Sequence, residues 1–240
     1  MTIDLNCDMG EAYGIYKCGD DAGIMPLISI ANVACGFHAS DPSVMRQTVR
    51  LAKQHGVRVG AHPSYPDRDG FGRRRMEMEA EELTASIIYQ VGALKGFLDA
   101  EGMAFNHIKP HGALYGTAWR DENVARAIAR AAKAFAVPLM AMSGTGMGNW
   151  YQDEGVDVIW ETYVDLEYND DGEIVITRQH KPVSAEAAAA QALRSARDGQ
   201  VQTMSGKLLD VKCETICVHS DTPGAVEIAW AVKNALASLA

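Results

Sequence analysis

The sequence predicts an α/β protein that forms a single (β/α) barrel of about seven strands. Short apolar or β-branched runs alternate along the chain with amphipathic helical patterns, and nearly continuous apolar strands are typical of a parallel sheet covered by helices. About seven such units over 240 residues favour a barrel, with an open doubly wound sheet as the alternative. No repeat, low-complexity tract or linker interrupts the chain, so residues 1–240 are predicted to form one domain.

Residues up to 102 contain three predicted strands and two predicted helices. The strands are 2–8, 27–35 and 57–62, and a glycine-rich loop follows the first of them. The first helix, 41–56, is delimited by Asp41 as its N-cap, Pro42 in its first turn and Gly56 at its end. A long amphipathic pattern over 76–102 predicts the second helix.

The rest of the chain continues the same alternation. Strands are predicted at 105–110, 137–142, 156–165 and 214–220, and helices at 121–135, 184–199 and 223–240. Residues 173–178 follow the turn-forming sequence NDDG and are predicted as a hairpin arm or an edge strand.

Composition excludes several classes of protein. The formal net charge is −9, and the one basic cluster, Arg73 to Arg75, is too short for a nucleic-acid footprint. The N-terminal residues lack the features of a signal peptide, and no run approaches the roughly 18 apolar residues of a membrane span. We therefore expect a soluble cytoplasmic protein that binds neither nucleic acid nor membrane.

The five cysteines, at positions 7, 18, 35, 213 and 217, are predicted to be free thiols in the core. Their number is odd, the expected location is cytoplasmic, and no CxxC pair exists. A strand over 214–218 would place Cys213 and Cys217 on one face, but this spacing gives little support to a structural zinc site.

Polar and ionisable side chains stand at the carboxyl end of nearly every predicted strand, whereas the amino ends are bland. Carboxyl ends of parallel strands share one rim of a barrel, which is its functional face. Singly, each residue has an ordinary explanation, such as a packed loop histidine or a helix-capping aspartate. Together they predict a functional site, because a dense set of charges is costly to desolvate. The set comprises Asn6, Asp8, His38, His62, Lys109, His111, Ser143, Glu161, His219, Ser220 and Asp221.

Three kinds of chemistry could use this rim, and the residues alone leave them open. Asp8, His38 and His62 offer mixed oxygen and nitrogen ligands for a divalent metal, although no HExxH-type spacing is present. Alternatively, Asp8 and a histidine act as general acid and base on a carbonyl substrate. Lys109 suits stabilisation of an oxyanion, a carboxylate or a phosphate.

Two further segments are candidates for anion binding. The arginine cluster, Arg73 to Arg75, follows a glycine-rich loop and forms either a solvated turn or a clamp for a carboxylate or phosphate. The segment SGTGMG, 143–148, follows a strand but lacks the GKS or GKT of a P-loop, so its support for phosphate binding is weak.

Five segments together resemble the LamB/YcsF family, to which the A subunits of bacterial 5-oxoprolinase belong. They are DLNCDMGE, ANVACGFHASDPSVM, GAHPSYPDRDGFGRRRM, HIKPHGALY and ICVHSDTPGA, in the family's order from about Asp4 to Ala225. The resemblance implies a barrel related to the glycoside hydrolase and deacetylase barrels. It also implies ATP-dependent opening of the 5-oxoproline lactam to glutamate, together with 5-oxoprolinase subunits B and C.

The resemblance also implies a set of site residues. The family's polar positions fall here on Asn6, Asp8, Glu11, His38, Asp41, His62, Arg73, Lys109, His111, His219 and Asp221. We assign catalysis to Asp8, His38, His62, Lys109 and His111. We assign substrate or phosphate binding to Asn6, Glu11, Arg73, His219 and Asp221. ATP is the implied cofactor, with a divalent metal as a further candidate.

The sequence departs from the family's usual pattern at several positions. Ser40, Ser64 and Ser220 stand where the family has glycine, and Leu166 stands where it has an arginine. The segment RQHKPVSA, 178–185, also differs. If that arginine binds the substrate, these departures imply a related lactam or cyclic amide.

We therefore expect the A component of an ATP-dependent amidohydrolase that opens a lactam. One alternative is a metal-dependent deacetylase or amidohydrolase that acts alone. The other is a non-catalytic subunit whose rim residues support the site of a partner.

Overall fold

Seven parallel strands close into a barrel, which confirms the predicted fold class. The computed structural model describes residues 3–176 and 182–239. The barrel strands are β1 (Asp4–Met9), β2 (Ile30–Ala34), β3 (Arg58–His62), β4 (Phe105–Ile108), β5 (Leu139–Met142), β6 (Val158–Tyr163) and β9 (Thr215–His219). Strand β6 pairs directly with β9, and β9 with β1, which closes the ring. The two intervening strands, β7 (Gln200–Gln202) and β8 (Leu208–Asp210), form a separate antiparallel pair.

Helices surround the barrel. They are α1 (Asp21–Ile24), α2 (Pro42–His55), α3 (Ala80–Glu101), α4 (Gly112–Ala118), α5 (Glu122–Lys133), α6 (Met147–Asp153), α7 (Ala185–Leu193) and α8 (Ala225–Ala237). The predicted caps of α2 are confirmed: the Asp41 carboxylate accepts hydrogen bonds from the N–H groups of Ser43 and Val44, and Gly56 adopts a left-handed φ of 67°. Buried side chains of α2, such as Met45 and Val49, belong to the core between barrel and helices.

Strand alternation sends a polar set of side chains into the barrel. Asn6 and Asp8 on β1 point inward, while Leu5, Cys7 and Met9 belong to the apolar core. Gly60 on β3 leaves space for the His107 ring, because a Cβ at Gly60 would lie 2.1 Å from that ring. The barrel interior is therefore filled by hydrogen-bonding groups, in contrast to the branched apolar layers common in such barrels.

Several predicted boundaries differ from the structure. Across the turn at 169–172, Tyr168 and Ile174 form an antiparallel bridge, and the Val175 N–H donates to the Glu167 carbonyl at 2.9 Å. Of the two predicted forms of 173–178, the hairpin arm is thus present as a single bridge, and residues 177–178 lie outside the described ranges. The helix predicted over 76–102 begins at Ala80. The helix predicted over 184–199 is α-helical only to Leu193 and continues as a π-helical turn to Asp198.

Sequence patterns missed the shortest elements. Helices α1, α4 and α6 have seven residues or fewer, and strands β7 and β8 have three each. Most of α4, the segment GALYGTA, is buried, so it shows no amphipathic period from which a helix could be predicted.

All five cysteines are free thiols, as predicted; Cys7, Cys35 and Cys217 lie in the core and Cys213 packs against it, whereas Cys18 is half-buried and does not belong to it. Cys213 precedes β9 and is not part of it, so Cys213 and Cys217 do not share a strand face. Among the described residues, no helix has the length and apolar character to cross a bilayer.

Candidate active site

A small cavity of about 40 Å³ opens at the carboxyl ends of the barrel strands. Seven of the ten predicted site residues line it: Asp8, Glu11, His62, Arg73, Lys109, His111 and His219. The parallel register explains the convergence, since Asp8 pairs with His219 across β1 and β9. The other three, Asn6, His38 and Asp221, stand behind this lining and contact it through Asn32, Glu11 and Arg73.

Lys109 follows β4 and is buried at the centre of the site. Its ammonium nitrogen lies 3.0 Å from Asp8 Oδ1, 2.9 Å from Glu161 Oε1 and 3.0 Å from Cys217 Sγ. Burial alone would lower the pKa of Lys109, but these neighbours, Asp8 first, raise it well above the ordinary value. The ammonium donates hydrogen bonds to Asp8, to Cys217 and, at 3.5 Å, to Asn6 Oδ1, and Glu161 adds an ion pair, so Lys109 is a fixed positive charge.

Asp8 joins Lys109 to the histidines of the rim. Its Oδ1 accepts hydrogen bonds from Lys109 and from the Asn32 amide, at 3.0 and 2.8 Å. Its Oδ2 lies 3.2 Å from His62 Nε2 and 3.6 Å from His219 Nε2. Burial raises the pKa of Asp8, but His62 and Lys109 outweigh that effect and hold it well below the usual range. Asp8 is therefore an ionised carboxylate at neutral pH.

His219, at the end of β9, is oriented by Asp165, which the sequence reasoning did not single out. Asp165 accepts hydrogen bonds from the backbone N–H of His219 and from its Nδ1, at 2.7 and 2.9 Å. Burial lowers the pKa of His219, yet the Asp165 charge outweighs it, so that the pKa reaches about 9. With Nδ1 held in this way, His219 Nε2 lies at the cavity as a proton carrier.

A second group of side chains, here called the imidazole cluster, consists of Glu11, His38, His62 and His111. Glu11 Oε1 lies 3.0 Å from His38 Nε2 and 3.4 Å from His111 Nδ1. His111 Nδ1 lies 3.0 Å from His62 Nε2. The rings of His38 and His111 stack with centroids 3.7 Å apart. Burial, followed by the Asp8 charge, raises the pKa of Glu11 to about 7.

Metal-ligating atoms therefore fall into two groups among the described residues. One is the imidazole cluster, whose four ligand atoms lie within 4.8 Å of one another, and the other is Asp8, Cys217 and His219. The predicted metal set of Asp8, His38 and His62 is thus divided: the two histidines belong to the first group and Asp8 to the second.

Below the cavity, a polar layer supports Asp8 and Lys109. The Asn6 amide donates to Thr215 Oγ1, and Asn6 Oδ1 accepts from the Asn32 amide, both at 2.8 Å. His107 Nε2 lies 2.6 Å from Asn32 Oδ1. Asn6 is fully buried in this layer, beneath the cavity that a substrate would enter.

The arginine cluster divides among different partners. Arg73 lines the cavity and forms an ion pair of 3.0 Å with Asp221. Arg74 pairs with Asp67 instead, and Arg75 is exposed. An anion clamp of three arginines does not form; Arg73 alone faces the cavity.

The far wall of the cavity is apolar, and sequence reasoning did not assign it to the site. It consists of Leu166, Ile174 and Ile176, together with Tyr115 and Tyr163. The hydroxyls of both tyrosines donate to Glu161 Oε2, at 3.2 and 2.5 Å. The sequence feature that could have indicated this wall is Glu161, a carboxylate inside the otherwise uncharged strand VIWETY.

Two of the serines that stand where the family has glycine, Ser40 and Ser64, lie at sterically restricted positions. Ser40 has a left-handed φ of 72°, a conformation that favours glycine. Ser64 Oγ would lie 2.3 Å from a Cβ placed on Gly72. Leu166 forms part of the apolar wall.

The protein is a (β/α) barrel with titratable side chains around the carboxyl-end rim. Enzymes with this fold have their active sites at that rim. The chain belongs to the LamB/YcsF family, whose model matches residues 3–239. This confirms the resemblance seen in the sequence.

Named relatives match nearly the whole chain. The A subunit of 5-oxoprolinase from Thermus thermophilus is 46% identical over 242 residues, which cover 98% of this chain and 96% of the relative. The lactam utilization protein lamB of Emericella nidulans is 45% identical over 234 residues, covering 96% and 92%.

Solved structures support the same assignment. The crystal structure of a lactam utilization protein from Thermus thermophilus superposes with a TM-score of 0.92 at 44% identity, covering 100% of this chain and 97% of that one. A GH113 beta-1,4-mannanase matches with a TM-score of 0.53 at 10% identity, covering 99% and 100%. The second likeness, at 10% identity, concerns the barrel fold alone.

Proposed function

We propose that this chain is the A component of an ATP-dependent amidohydrolase of the 5-oxoprolinase type. Together with subunits B and C, it would open the lactam of 5-oxoproline to give glutamate. The relatives support this reaction, since one that is 46% identical over 98% of the chain is named as the A subunit of 5-oxoprolinase. Such a name implies an assembly of several chains, and five free thiols agree with a reducing, cytoplasmic site of action.

The observation that carries the proposal is the pairing of Asp8 with His219 at the cavity. Their side chains lie 3.6 Å apart, and their pKa values are shifted in opposite directions, below the usual range for Asp8 and to about 9 for His219. An ionised carboxylate therefore stands beside a protonated imidazole at neutral pH. Environments that separate two pKa values in this way indicate an acid and a base.

His219 is suited to donate a proton to the lactam nitrogen. When the ring C–N bond breaks, the nitrogen leaves as an amine and must gain a proton. Asp165 holds His219 Nδ1 at 2.9 Å, so Nε2–H is the proton that faces the cavity. Asp8 would orient the imidazolium and stabilise its charge.

Lys109 would act through its charge. Its ammonium group already donates to Asp8 Oδ1, to Cys217 Sγ and, at 3.5 Å, to Asn6 Oδ1, so a direct hydrogen bond to the lactam oxygen would require one of these contacts to be given up. A fixed ammonium charge in a buried site nevertheless stabilises negative charge that develops on a substrate oxygen.

ATP would supply the activation that a resonance-stabilised amide needs. Transfer of the γ-phosphoryl group to the lactam oxygen releases ADP and creates a leaving group at the ring carbon. Water then adds to that carbon, and the C–N bond breaks as the nitrogen gains a proton, which leaves an acyl phosphate. A second water hydrolyses the acyl phosphate to the carboxylate of glutamate and inorganic phosphate. A cavity of about 40 Å³ is too small for a nucleotide, and the glycine-rich segment 143–148 continues directly into α6. ATP and its Mg²⁺ would therefore bind outside this cavity, with the partner subunits contributing to their site.

A second candidate function is a metal-dependent amidohydrolase that acts without partners on a related lactam or cyclic amide. The imidazole cluster favours it, because three imidazoles and a carboxylate are ligands suited to a metal that activates water.

One assay distinguishes these functions. The purified chain is incubated with 5-oxoproline and several other lactams, alone and with subunits B and C, with and without ATP, and ring opening is measured. The proposal predicts glutamate formation only with ATP and the partners. His219→Gln should reduce kcat by about 100-fold or more, whereas His55→Gln, at an exposed position, should not.

Activity of the isolated chain without ATP would establish the second function instead. A complex that retains full activity with His219→Gln would contradict the proposed role of this chain and leave it with a supporting role only.

A further inference from the structure

We propose that the imidazole cluster, Glu11, His38, His62 and His111, binds one divalent transition-metal ion of the zinc class. The inference concerns metal binding by the isolated chain and does not rest on the lactam-opening function.

The spacing of the ligand atoms fits a tetrahedral ion. Three measured separations are 3.0 Å for Glu11 Oε1 to His38 Nε2, 3.4 Å for Glu11 Oε1 to His111 Nδ1, and 3.0 Å for His111 Nδ1 to His62 Nε2. Zinc–nitrogen bonds of about 2.0–2.1 Å in tetrahedral geometry place neighbouring ligand atoms about 3.3 Å apart. Small movements of the side chains would bring all four atoms to that separation.

Backbone carbonyls fix the tautomers of two of these histidines. His62 Nδ1 lies 2.7 Å from the Lys109 carbonyl oxygen, and His111 Nε2 lies 2.8 Å from the Phe71 carbonyl oxygen. Because a carbonyl oxygen only accepts, both of these nitrogens carry hydrogen. In the neutral rings, the lone pairs of His62 Nε2 and His111 Nδ1 then face each other across 3.0 Å. Two lone pairs at that distance repel each other unless a proton on one ring or a metal ion lies between them, and a metal ion would serve both nitrogens at once.

The groups that orient the histidine rings of the imidazole cluster resemble those that surround a bound metal. Metal-bound histidines commonly donate their second N–H to a carbonyl or carboxylate, which orients the ring. The carbonyl that holds His111 belongs to Phe71, whose φ of 54° is in the left-handed region that non-glycine residues seldom adopt. The Phe71 ring also contacts the His38 and His111 rings edge-on. An uncommon backbone conformation thus fixes two members of the cluster.

The second group of potential ligands already has a cation. The Lys109 ammonium lies 3.0 Å from both Asp8 Oδ1 and Cys217 Sγ, in the place that an ion shared by these atoms would take. A metal would have to displace this buried positive charge. The structure therefore assigns the metal to the imidazole cluster and leaves Asp8 as the partner of Lys109 and the histidines.

The donor set indicates the class of metal. Three imidazoles and one carboxylate suit zinc, cobalt, nickel or ferrous iron, whereas magnesium and calcium prefer oxygen ligands. Three of the ligands, Glu11, His62 and His111, also line the cavity. A bound ion would therefore face the cavity, where it could polarise a carbonyl oxygen of a small substrate.

The test measures metal binding directly and without substrate. The purified chain is stripped with a chelator, reloaded with Zn²⁺ or Co²⁺, and analysed for metal content and for the visible absorption of tetrahedral Co²⁺. We expect one equivalent of metal and a Co²⁺ spectrum with imidazole ligands. Less than about a tenth of an equivalent, with no such spectrum, for the unmodified chain would overturn the proposal.

Variants locate the ion. Glu11→Gln and His111→Gln should weaken Zn²⁺ binding by about tenfold or more, since loss of even a supporting contact costs that much. Asp8→Asn should retain the metal, as should His55→Gln at an exposed position. Retention by both cluster variants, or loss in Asp8→Asn alone, would contradict the assignment.

Circular dichroism confirms that each variant is folded. If the cluster variants do not fold, displacement of Co²⁺ by Zn²⁺ and Co²⁺-shifted histidine resonances in the unmodified chain still decide the outcome. Metal binding without ATP-dependent ring opening would refute the proposed function alone. ATP-dependent ring opening by the complex, with a chain that binds neither Zn²⁺ nor Co²⁺, would refute this inference alone.

Discussion

Lys109 and Asp8 form a buried ion pair, with the ammonium nitrogen 3.0 Å from Oδ1 and both side chains almost inaccessible to solvent. Glu161 of β6 approaches the same ammonium at 2.9 Å. One cation thus compensates two carboxylates inside the barrel. Removing it would leave the buried Glu161 without a cation and Asp8 with only its imidazole and amide partners.

Replacing Lys109 by methionine should therefore destabilise the protein strongly. The expected loss is about 3–5 kcal/mol in the free energy of unfolding, measured by urea denaturation. Lys95→Met is the matched control, because Lys95 pairs with Asp99 on the surface of α3 and such pairs contribute about 0.5 kcal/mol or less. Equal effects of the two substitutions would show that the buried pair does not stabilise the barrel.

Asp165→Asn should change the pH dependence of the reaction through His219. The Asp165 carboxylate, working against burial, raises the pKa of His219 to about 9, so the imidazolium is present below that pH and lost above it. Activity that needs this proton should fall on the alkaline side of about pH 9 in the unmodified complex. Without the carboxylate, the alkaline limb should move to lower pH.

The measurement is kcat against pH for the reconstituted complex, together with the NMR titration of His219. Asp69→Asn, at an exposed position, serves as the control. A purely structural role for Asp165 would lower kcat at every pH and leave the alkaline limb where it was.

Asp21→Asn should stabilise the protein at neutral pH. Burial raises the pKa of Asp21 from 3.8 to about 6, although its Oδ2 accepts the Gly10 N–H at 2.8 Å. Because the folded-state pKa is the higher one, the contribution of Asp21 to stability is fully present below pH 3.8 and is lost as pH rises through about 6. The asparagine avoids this loss.

We expect a gain of about 1–2 kcal/mol at neutral pH and little or none in acid. Urea denaturation of both proteins at acidic pH and at neutral pH measures this gain. A variant that gains the same stability at both pH values would show that ionisation of Asp21 is not the cause.

Gly60→Ala should destabilise the barrel by about 1–3 kcal/mol. The new Cβ would lie 2.1 Å from the His107 ring, whose contacts with Asn32 and Asn106 fix its position. Gly96→Ala on α3 is the control, since no heavy atom lies within 4 Å of its Cβ, and helix propensity predicts a gain of about 0.5–1 kcal/mol. Thermal unfolding of both variants tests the difference in sign.

The positions of Asp8, His62, Lys109 and His219 could be predicted from the sequence, because each follows or ends a strand and parallel strands end on one rim. The separation of the site into the Asp8–Lys109 pair and the imidazole cluster could not be predicted from the sequence. Whether Asp8 pairs with Lys109 or shares a metal with His38 depends on the stagger of the strands and the path of a loop. Neither leaves a periodic signal in the sequence.

Contacts between distant segments explain the other omissions. Asp165 was missed because its partner, His219, lies 54 residues away and is reached only when β6 and β9 become neighbours. The apolar wall was missed because Leu166 and Ile174 belong to irregular segments that no hydrophobic period identifies.

The hydrogen-bonded interior of the barrel has a consequence for how this protein can change in evolution. Asn32 bonds to Asn6, Asp8 and His107, so a single apolar replacement there would leave several buried partners unsatisfied. Replacements inside the barrel must then occur in compensating groups, which pass through less stable intermediates. Sequence drift should be slow in this layer and fast on the outer helices, so that new substrates would be acquired through the mouth and its loops.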